Sequence, residues 1–223
     1  MRLSSEDFRQ KARHVPFARE GIPYVLAPAF VTLIAAILGH SILAWLFLLT
    51  TLFVGHFFRD PERVAPTGDG EVVAPADGKV VAIETVLEGR FLNQPCLRIS
   101  IFLSVFDVHV NRIPYSGVVQ GTQYQKGKYL AANLPRASRE NEQSWLWIRT
   151  DGEQDLVVSQ IAGLIARRIV CWPTLGDRVL RAERFGMIRF GSRTDLYVPV
   201  GSELLVAEGD RVCGGETVLC RLK

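Results

Sequence analysis

A chain of 223 residues with a formal net charge of +3 is long enough for one ordinary domain plus an appendage, and that charge is too small to argue for a nucleic-acid partner. Hydrophobic residues make up 48% of it, high for a fully soluble protein, so a concentrated apolar block is expected. The four cysteines, Cys96, Cys171, Cys213 and Cys220, have neither CxxC spacing nor the density of a disulfide scaffold, and read as reduced thiols packed as small hydrophobes.

The apolar block lies near the N-terminus. From Gly21 through Phe58 there is no Asp, Glu, Lys or Arg, and only His40, His56 and Tyr24 can titrate. The block exceeds one membrane pass of about 20 residues. It breaks at Gly39-His40-Ser41 into Ile22–Leu38 and Ile42–Phe58, the pattern of a membrane-associated helical hairpin. Arg9, Lys11, Arg13 and Arg19 precede it and Arg59 and Arg63 follow it, which by the positive-inside rule places both flanks in the cytoplasm at the cell membrane. A signal peptide fits poorly, because its apolar region is about 7–15 residues and ends at a small-residue cleavage site. A buried helical pair, or a hairpin dipping into one leaflet, stays open. The chain thus divides into an arm and hairpin over 1–58 and a second region over 59–223.

Beyond Arg59 short alternating segments separated by Gly, Pro, Asp and Asn predict strands. They are Glu71–Ala74, Lys79–Glu84, Leu97–Leu103, Gly117–Tyr124, Ser144–Thr150, Leu156–Ile161, Asp195–Val198, Glu203–Val206 and Thr217–Arg221. A short helix is expected around Gly163–Ile169, and Arg136–Gln143, polar and unperiodic, reads as a surface loop. The fold class is therefore mainly β (α+β), with packed sheets of sandwich or hybrid-barrel type. Gly70–Ile83 and Glu203–Leu219 share a strand, Asp/Gly turn, strand texture, as in biotinyl- and lipoyl-type barrels. Lys79, however, looks like the start of a strand and not an exposed hairpin tip.

Of four histidines, His14 lies in the polar arm, His40 in the hairpin turn and His56 at the membrane edge, so His109 alone belongs to the β-region. That makes it the candidate general base, although a lone histidine at a strand end is more often structural. Asp77 sits in an Asp-Gly pair whose ordinary role is to cap a turn. Ser192, after Gly191, has by itself no functional meaning. One histidine cannot supply a His-rich metal site, so no metal is expected.

Four segments together resemble the ordered motifs of phosphatidylserine decarboxylases, particularly their short form. They are Phe57-Phe58-Arg59-Asp60-Pro61, Ala74-Pro75-Ala76-Asp77-Gly78, Phe106-Asp107-Val108-His109-Val110-Asn111-Arg112 and Arg189-Phe190-Gly191-Ser192. The resemblance implies a proenzyme that cuts itself between Gly191 and Ser192, with Ser192 as nucleophile assisted by His109 and Asp77. The 192–223 fragment would then carry a covalent pyruvoyl group as its only cofactor and stay associated with 1–191. It also implies decarboxylation of phosphatidylserine to phosphatidylethanolamine through a Schiff base to that group, with a phospholipid and the membrane as partners; a homo-oligomer is left open. Arginines crowd the sequence near the cut, namely Arg167, Arg168, Arg178, Arg181, Arg184, Arg189 and Arg193. Of these, Arg189 and Arg193 are the candidates for binding the substrate phosphate, a solvated face being the bland alternative. Two features depart from the longer bacterial form, which has Leu-Gly-Ser-Thr at the cut and a second histidine where Arg112 stands here. One histidine would then serve both processing and decarboxylation. The rival readings are a pyruvoyl decarboxylase of a soluble amino acid, against which the apolar block argues, and a membrane-tethered biotinyl-like carrier or hydrolase, which lacks a tip lysine or metal-binding histidines.

Overall fold

The computed structural model describes residues 17–130, 136–163, 168–189 and 192–223. His14–Glu62 forms one compact unit and Arg63–Lys223 another. In the first, helix α1 (Ile22–Ile37) and helix α2 (Ser41–Phe57) pack side by side. The turn between them follows from Gly39, whose φ of 76° is the left-handed conformation that glycine enters without steric cost. Gly39 N–H bonds the Ala36 carbonyl and His40 N–H reaches back to Ala35, the crossed pair of bonds that closes a helix on a glycine. Hydroxyls within the helices are satisfied internally: Thr32 donates to the Pro28 carbonyl, Thr50 to Leu46 and Thr51 to Phe47. Large apolar side chains point outward along both helices, with Ile37 71% and Ile42 88% exposed. Arg19–Ile37 is long and apolar enough to cross a membrane, and Ser41–Phe57 is shorter.

The second unit is built from antiparallel strands. One eight-stranded sheet contains β2 (Gly78–Glu88), β3 (Gln94–Leu103), β5 (Gly117–Gln125), β6 (Gln143–Arg149), β7 (Asp155–Ile161), β9 (Arg178–Val179), β11 (Ser192–Pro199) and β13 (Arg211–Val212), in the order β13-β2-β3-β11-β7-β6-β5-β9. Two three-stranded sheets accompany it. One joins β1 (Glu71–Val73), β14 (Val218–Arg221) and β12 (Glu203–Leu204); the other joins β4 (Val110–Arg112), β10 (Arg184–Ile188) and β8 (Ile169–Cys171). Side chains alternate between the faces of a strand. On one face of the large sheet Ile99, Ile101, Leu103, Leu196 and Val198 pack in the main core with Val72, Phe185 and Leu219 of the small sheets. On the other face Cys96, Trp145, Val157 and Tyr197 form a second cluster. The mainly β, packed-sheet architecture read from the sequence is the one observed.

Two local expectations differ, and a third lies mostly outside the described residues. Arg136–Gln143 is not a surface loop: Ala137–Glu140 forms a short helix, α3, and Asn141 and Gln143 are fully buried. Hydrogen bonds make burial of these amides tolerable, since Asn141 Nδ2 donates to the Leu130 and Ala162 carbonyls and Gln143 Nε2 to Ser138. The helix expected around Gly163–Ile169 falls mostly on 164–167, outside the described residues, and Ile169 opens β8. The short strands β4, β8, β9, β10 and β13 were not anticipated.

Candidate active site

The strand register gathers the candidate residues at one end of the large sheet. Ser192 opens β11 opposite Leu103, the last residue of β3. The β2–β3 ladder pairs Lys79 with Phe102, so its continuation sets Gly78 beside Leu103. Gly78, Leu103 and Ser192 thus lie in one row across three strands, with Asp77 just before the row. Only glycine fits at 78, where an added Cβ would meet the Phe102 carbonyl oxygen at 2.2 Å. His109 follows β3 and precedes β4; its carbonyl accepts the Ile188 N–H at 3.4 Å, four residues upstream of Ser192. The Pro75 carbonyl, two residues before Asp77, accepts the Arg112 N–H at 2.9 Å and Asn111 Nδ2 at 3.4 Å, which fastens the Asp77 segment to β4.

Ser192 is fully buried, and its Oγ has no hydrogen-bond partner among the described residues. An unmet buried hydroxyl costs about 1–3 kcal/mol; those of Ser100, Ser159 and Thr194 are unmet as well, and Ser192 differs from them in standing at the head of its strand. It faces inward with Thr194, Leu196 and Val198, while Arg193 and Asp195 face the other side. Gly191 and Phe190 lie outside the described residues.

His109 is fully buried, and its Nδ1 lies 2.8 Å from the Asp107 carbonyl oxygen. A carbonyl only accepts, so Nδ1 carries the hydrogen and Nε2 is the basic nitrogen of the neutral ring. The Asp107 turn that holds the ring is itself braced. Its Oδ2 accepts the Ser104 N–H at 2.8 Å and hydroxyl at 2.7 Å, and Oδ1 accepts from Arg211 at 3.2 Å.

Asp77 is held from two directions. Oδ2 accepts from Arg63 Nη2 at 2.7 Å and Oδ1 from the Gly214 N–H at 2.7 Å. Arg63 Nη1 continues to Glu216 at 2.9 Å. Burial raises the Asp77 pKa above the ordinary carboxylate range; Arg63 and the Gly214 N–H oppose that rise without cancelling it, and nearby Asp107 adds to it. Arg63 entered the sequence reading only as a charge flanking the apolar block, and Asp107 and Gly214 not as site residues. The nearest signal was that Asp107 shares a motif with His109.

The arginines separate. Arg193 is buried and donates through Nε and Nη2 to Asp195 at 2.6 and 2.7 Å. Burial works against its charge, but the carboxylate more than compensates and raises its pKa. Arg189 is half-buried, its backbone N–H on the Arg168 carbonyl. Arg178 pairs with Asp151 on the surface, and Arg181 donates to the Gly68 and Glu71 carbonyls. Arg167 lies outside the described residues. The cysteines are all free thiols; burial first, then Glu88 and Asp155, pushes Cys96 up to about 11, and burial pushes Cys220 up to about 12.

A family model of phosphatidylserine decarboxylases matches residues 50–220, a span that contains Arg63, Asp77, His109 and Ser192. The chain belongs to this family. The phosphatidylserine decarboxylase proenzyme of Syntrophus aciditrophicus is 49% identical over 203 residues, covering 91% of this chain and 95% of that protein. The proenzyme of Symbiobacterium thermophilum is 50% identical over 205 residues, 92% and 95% of the two chains, and that of Geotalea uraniireducens 47% over 207, 93% and 97%. As a phosphatidylserine decarboxylase family member the chain is an enzyme, a decarboxylase.

Proposed function

We propose that this chain decarboxylates phosphatidylserine with a pyruvoyl group that it makes from Ser192 by cutting itself between Gly191 and Ser192. The observation that carries this reading is the Ser192 hydroxyl: buried, without a partner among the described residues, at the head of a central strand, level with the Asp77-Gly78 turn and downstream of the Ile188–His109 bond. The Ser192 oxygen adds to the Gly191 carbonyl carbon and the peptide nitrogen leaves, giving an ester. His109 accepts the hydroxyl proton at Nε2 and returns it to the nitrogen, with the Asp107 carbonyl fixing the ring and the Asp77 charge favouring the imidazolium. Elimination then releases Gly191 as a carboxylate and leaves dehydroalanine at 192, and water converts this to ammonia and the pyruvoyl end.

The residues present suit such a group, because the orphaned Oγ marks a buried polar position at the head of β11 that would become a chain end. When in place, the group supplies a ketone that takes up the substrate amine and draws off the electrons left as carbon dioxide departs. The chain's own part is to hold that end between β3 and β7, to keep it dry, and to present His109 for proton transfer.

The helical pair supplies the membrane association that a phospholipid substrate calls for. At 1.5 Å per residue α1 and α2 span about 24–26 Å of the roughly 30 Å hydrocarbon core, and Arg19–Ile37 taken whole is long enough to cross it. They fit a hairpin held in the bilayer by its outward apolar side chains, with the β-unit on the cytoplasmic side, where the basic flanks place it. The test is intact mass. Wild type should give two fragments, with a pyruvoyl-blocked 192–223 piece and turnover of phosphatidylserine; Ser192→Ala should give one uncut, inactive chain. Cleavage of the Ser192→Ala chain at the same bond would eliminate the mechanism.

A further inference from the structure

The outer face of the large sheet, opposite the main core, bears a cavity of about 610 Å³ beside the head of β11. Arg98, Arg136, Arg139 and Arg193 line it, with Glu84 and Tyr197. Two of these cations are spent: Arg98 donates to Glu84 at 2.6 Å and Arg193 is clamped by Asp195. Neither Arg136 nor Arg139 has an ion-pair partner within 4.0 Å among the described residues; neighbouring Glu140 is paired with Lys128 at 2.9 Å and interacts with Arg136 only at longer range. The cavity therefore carries excess positive charge. At its floor is an arginine that is 5% exposed and already oriented, since its two bonds to Asp195 leave Nη1 to spare. A buried cation fixed in this way can meet an anion with little loss of side-chain freedom.

Register places this charge next to Ser192. Arg193 pairs with Ile161 on β7, and Ile161 with Gln143 on β6, so the three share a row adjoining that of Ser192. Gln143 Nε2 donates to the Ser138 carbonyl at 2.7 Å, which fixes the turn bearing Arg136 and Arg139 over that row. Rows are about 3.3–3.4 Å apart. A group joined to residue 192 at the free end of a strand can fold onto either face, and four bonds separate the amine of a phosphoserine head group from its phosphorus.

We propose that this outer-face cavity receives the phosphodiester of the substrate, with Arg193 as its floor and Arg136 and Arg139 as its mouth. The inference rests on the proposed function. The other anion of the substrate, its carboxylate, suits the cavity badly: its negative charge moves away from those oxygens into the electron sink as neutral carbon dioxide departs, so cations fixed on it would stabilise the ground state more than the transition state. The phosphodiester keeps its charge throughout. Arginine also matches phosphate geometry with paired donors.

The experiment uses the double variant Arg136→Gln/Arg139→Gln, both exposed positions, with Arg178→Gln as a control for surface charge outside the cavity. Two soluble substrates are compared: a short-chain phosphatidylserine below its micelle concentration, and an O-alkyl-L-serine that keeps the amine and carboxylate but lacks phosphate. Self-cleavage should be complete. KM for the lipid should rise about ten- to a hundredfold, the range expected for lost hydrogen bonds to a charged group, with kcat little changed and the O-alkyl-serine constants unmoved. An unchanged KM for the lipid, or an equal rise for both substrates, overturns the assignment. A second readout needs no processed enzyme: calorimetric titration of uncleaved Ser192→Ala with glycerophosphoserine should show binding that the two glutamines abolish. Absence of binding to uncleaved Ser192→Ala would count against the cavity. Equal affinity for inorganic phosphate would make it a free-phosphate site. Failure of the proposed function would show separately, as wild-type chain that is not cut.

Discussion

Replacing Arg63 by alanine tests how the site keeps Asp77 charged. The pair is largely shielded, the two side chains being 12% and 15% exposed, and Arg63 also holds Glu216. Removing one partner of a buried pair costs about 3–5 kcal/mol. Residual exposure and the Gly214 N–H, which stays on Asp77, put this case near about 3 kcal/mol, the lower end of that range. For a chain of this size each kcal/mol lowers Tm by about 2–4 °C, so a drop of about 6–12 °C is expected. The pH dependence has a definite sign. A carboxyl whose folded pKa lies above its unfolded value contributes stability that is full in acid and is lost as pH rises through the folded pKa. Without Arg63 the Asp77 pKa rises further, so the deficit should be largest at neutral pH and shrink on acidification. Cleavage that needs an ionised Asp77 should have its acid limb moved to higher pH. The assays are melting of uncut chains in a Ser192→Ala background at several pH values, and a gel time course of cleavage in freshly made proenzyme. Arg63→Lys, which keeps the charge, should retain most of the pH profile. A folded Arg63→Ala proenzyme that melts like wild type and cleaves with an unshifted acid limb would refute the reasoning.

His109→Ala should slow cleavage by about 10²–10⁴-fold, the usual contribution of a positioned base; wild-type cleavage by the folded variant in the same time course would remove His109 from that role. Gly78→Ala should lower stability by about 1–3 kcal/mol, as a strained backbone with no room does, because the new Cβ would meet the Phe102 carbonyl at 2.2 Å. Its melting curve checks this, and an unchanged Tm would mean that the β2–β3 spacing yields there. After cleavage, 192–223 should co-elute with 1–191 in native size exclusion and separate only under denaturing conditions; release in native buffer would contradict the strand order found for β11.

The parts legible in the sequence are those where a local pattern decides local structure. An uncharged block with a glycine at its midpoint could fold as little other than two helices and a turn, and β2, β3 and β11 announce themselves by alternation between Gly- and Asp-rich turns. The segments that escaped are buried by hydrogen bonding instead of by apolar periodicity. Asn111 of β4 lies on the Pro75 carbonyl and receives Gln160 Nε2 at 2.8 Å. Asn141 and Gln143 look like loop residues and are fully buried: the Asn141 amide joins the Leu130 and Ala162 segments, and the Gln143 amide closes the turn at Ser138. The partners of Asp77 were hidden for the same reason, Gly214 being 137 positions away. Arg193 had a usable signal: residues two apart on a strand share a face, so Asp195 was its foreseeable partner.

The proposed cut is compatible with this topology. Strand β11 pairs along its length with β3 and, through Arg193–Tyr197, with β7, while the rest of the 192–223 segment adds β13 to the edge of the large sheet and β14 between β1 and β12. A break before Ser192 therefore severs no rung of these ladders; it frees only the head of a strand that stays clamped on both sides. Arg63 spans the same division, since its two carboxylates, Asp77 and Glu216, fall on opposite fragments, and so does Asp77 itself through the Gly214 N–H. On the proposed function, the contacts that hold Asp77 are thus among those that would keep the two pieces together after the cut. A chain end made by the proposed cut would need no unfolding of the sheet, since residue 192 is already in register with the Gly78 row and beside the Arg193 row.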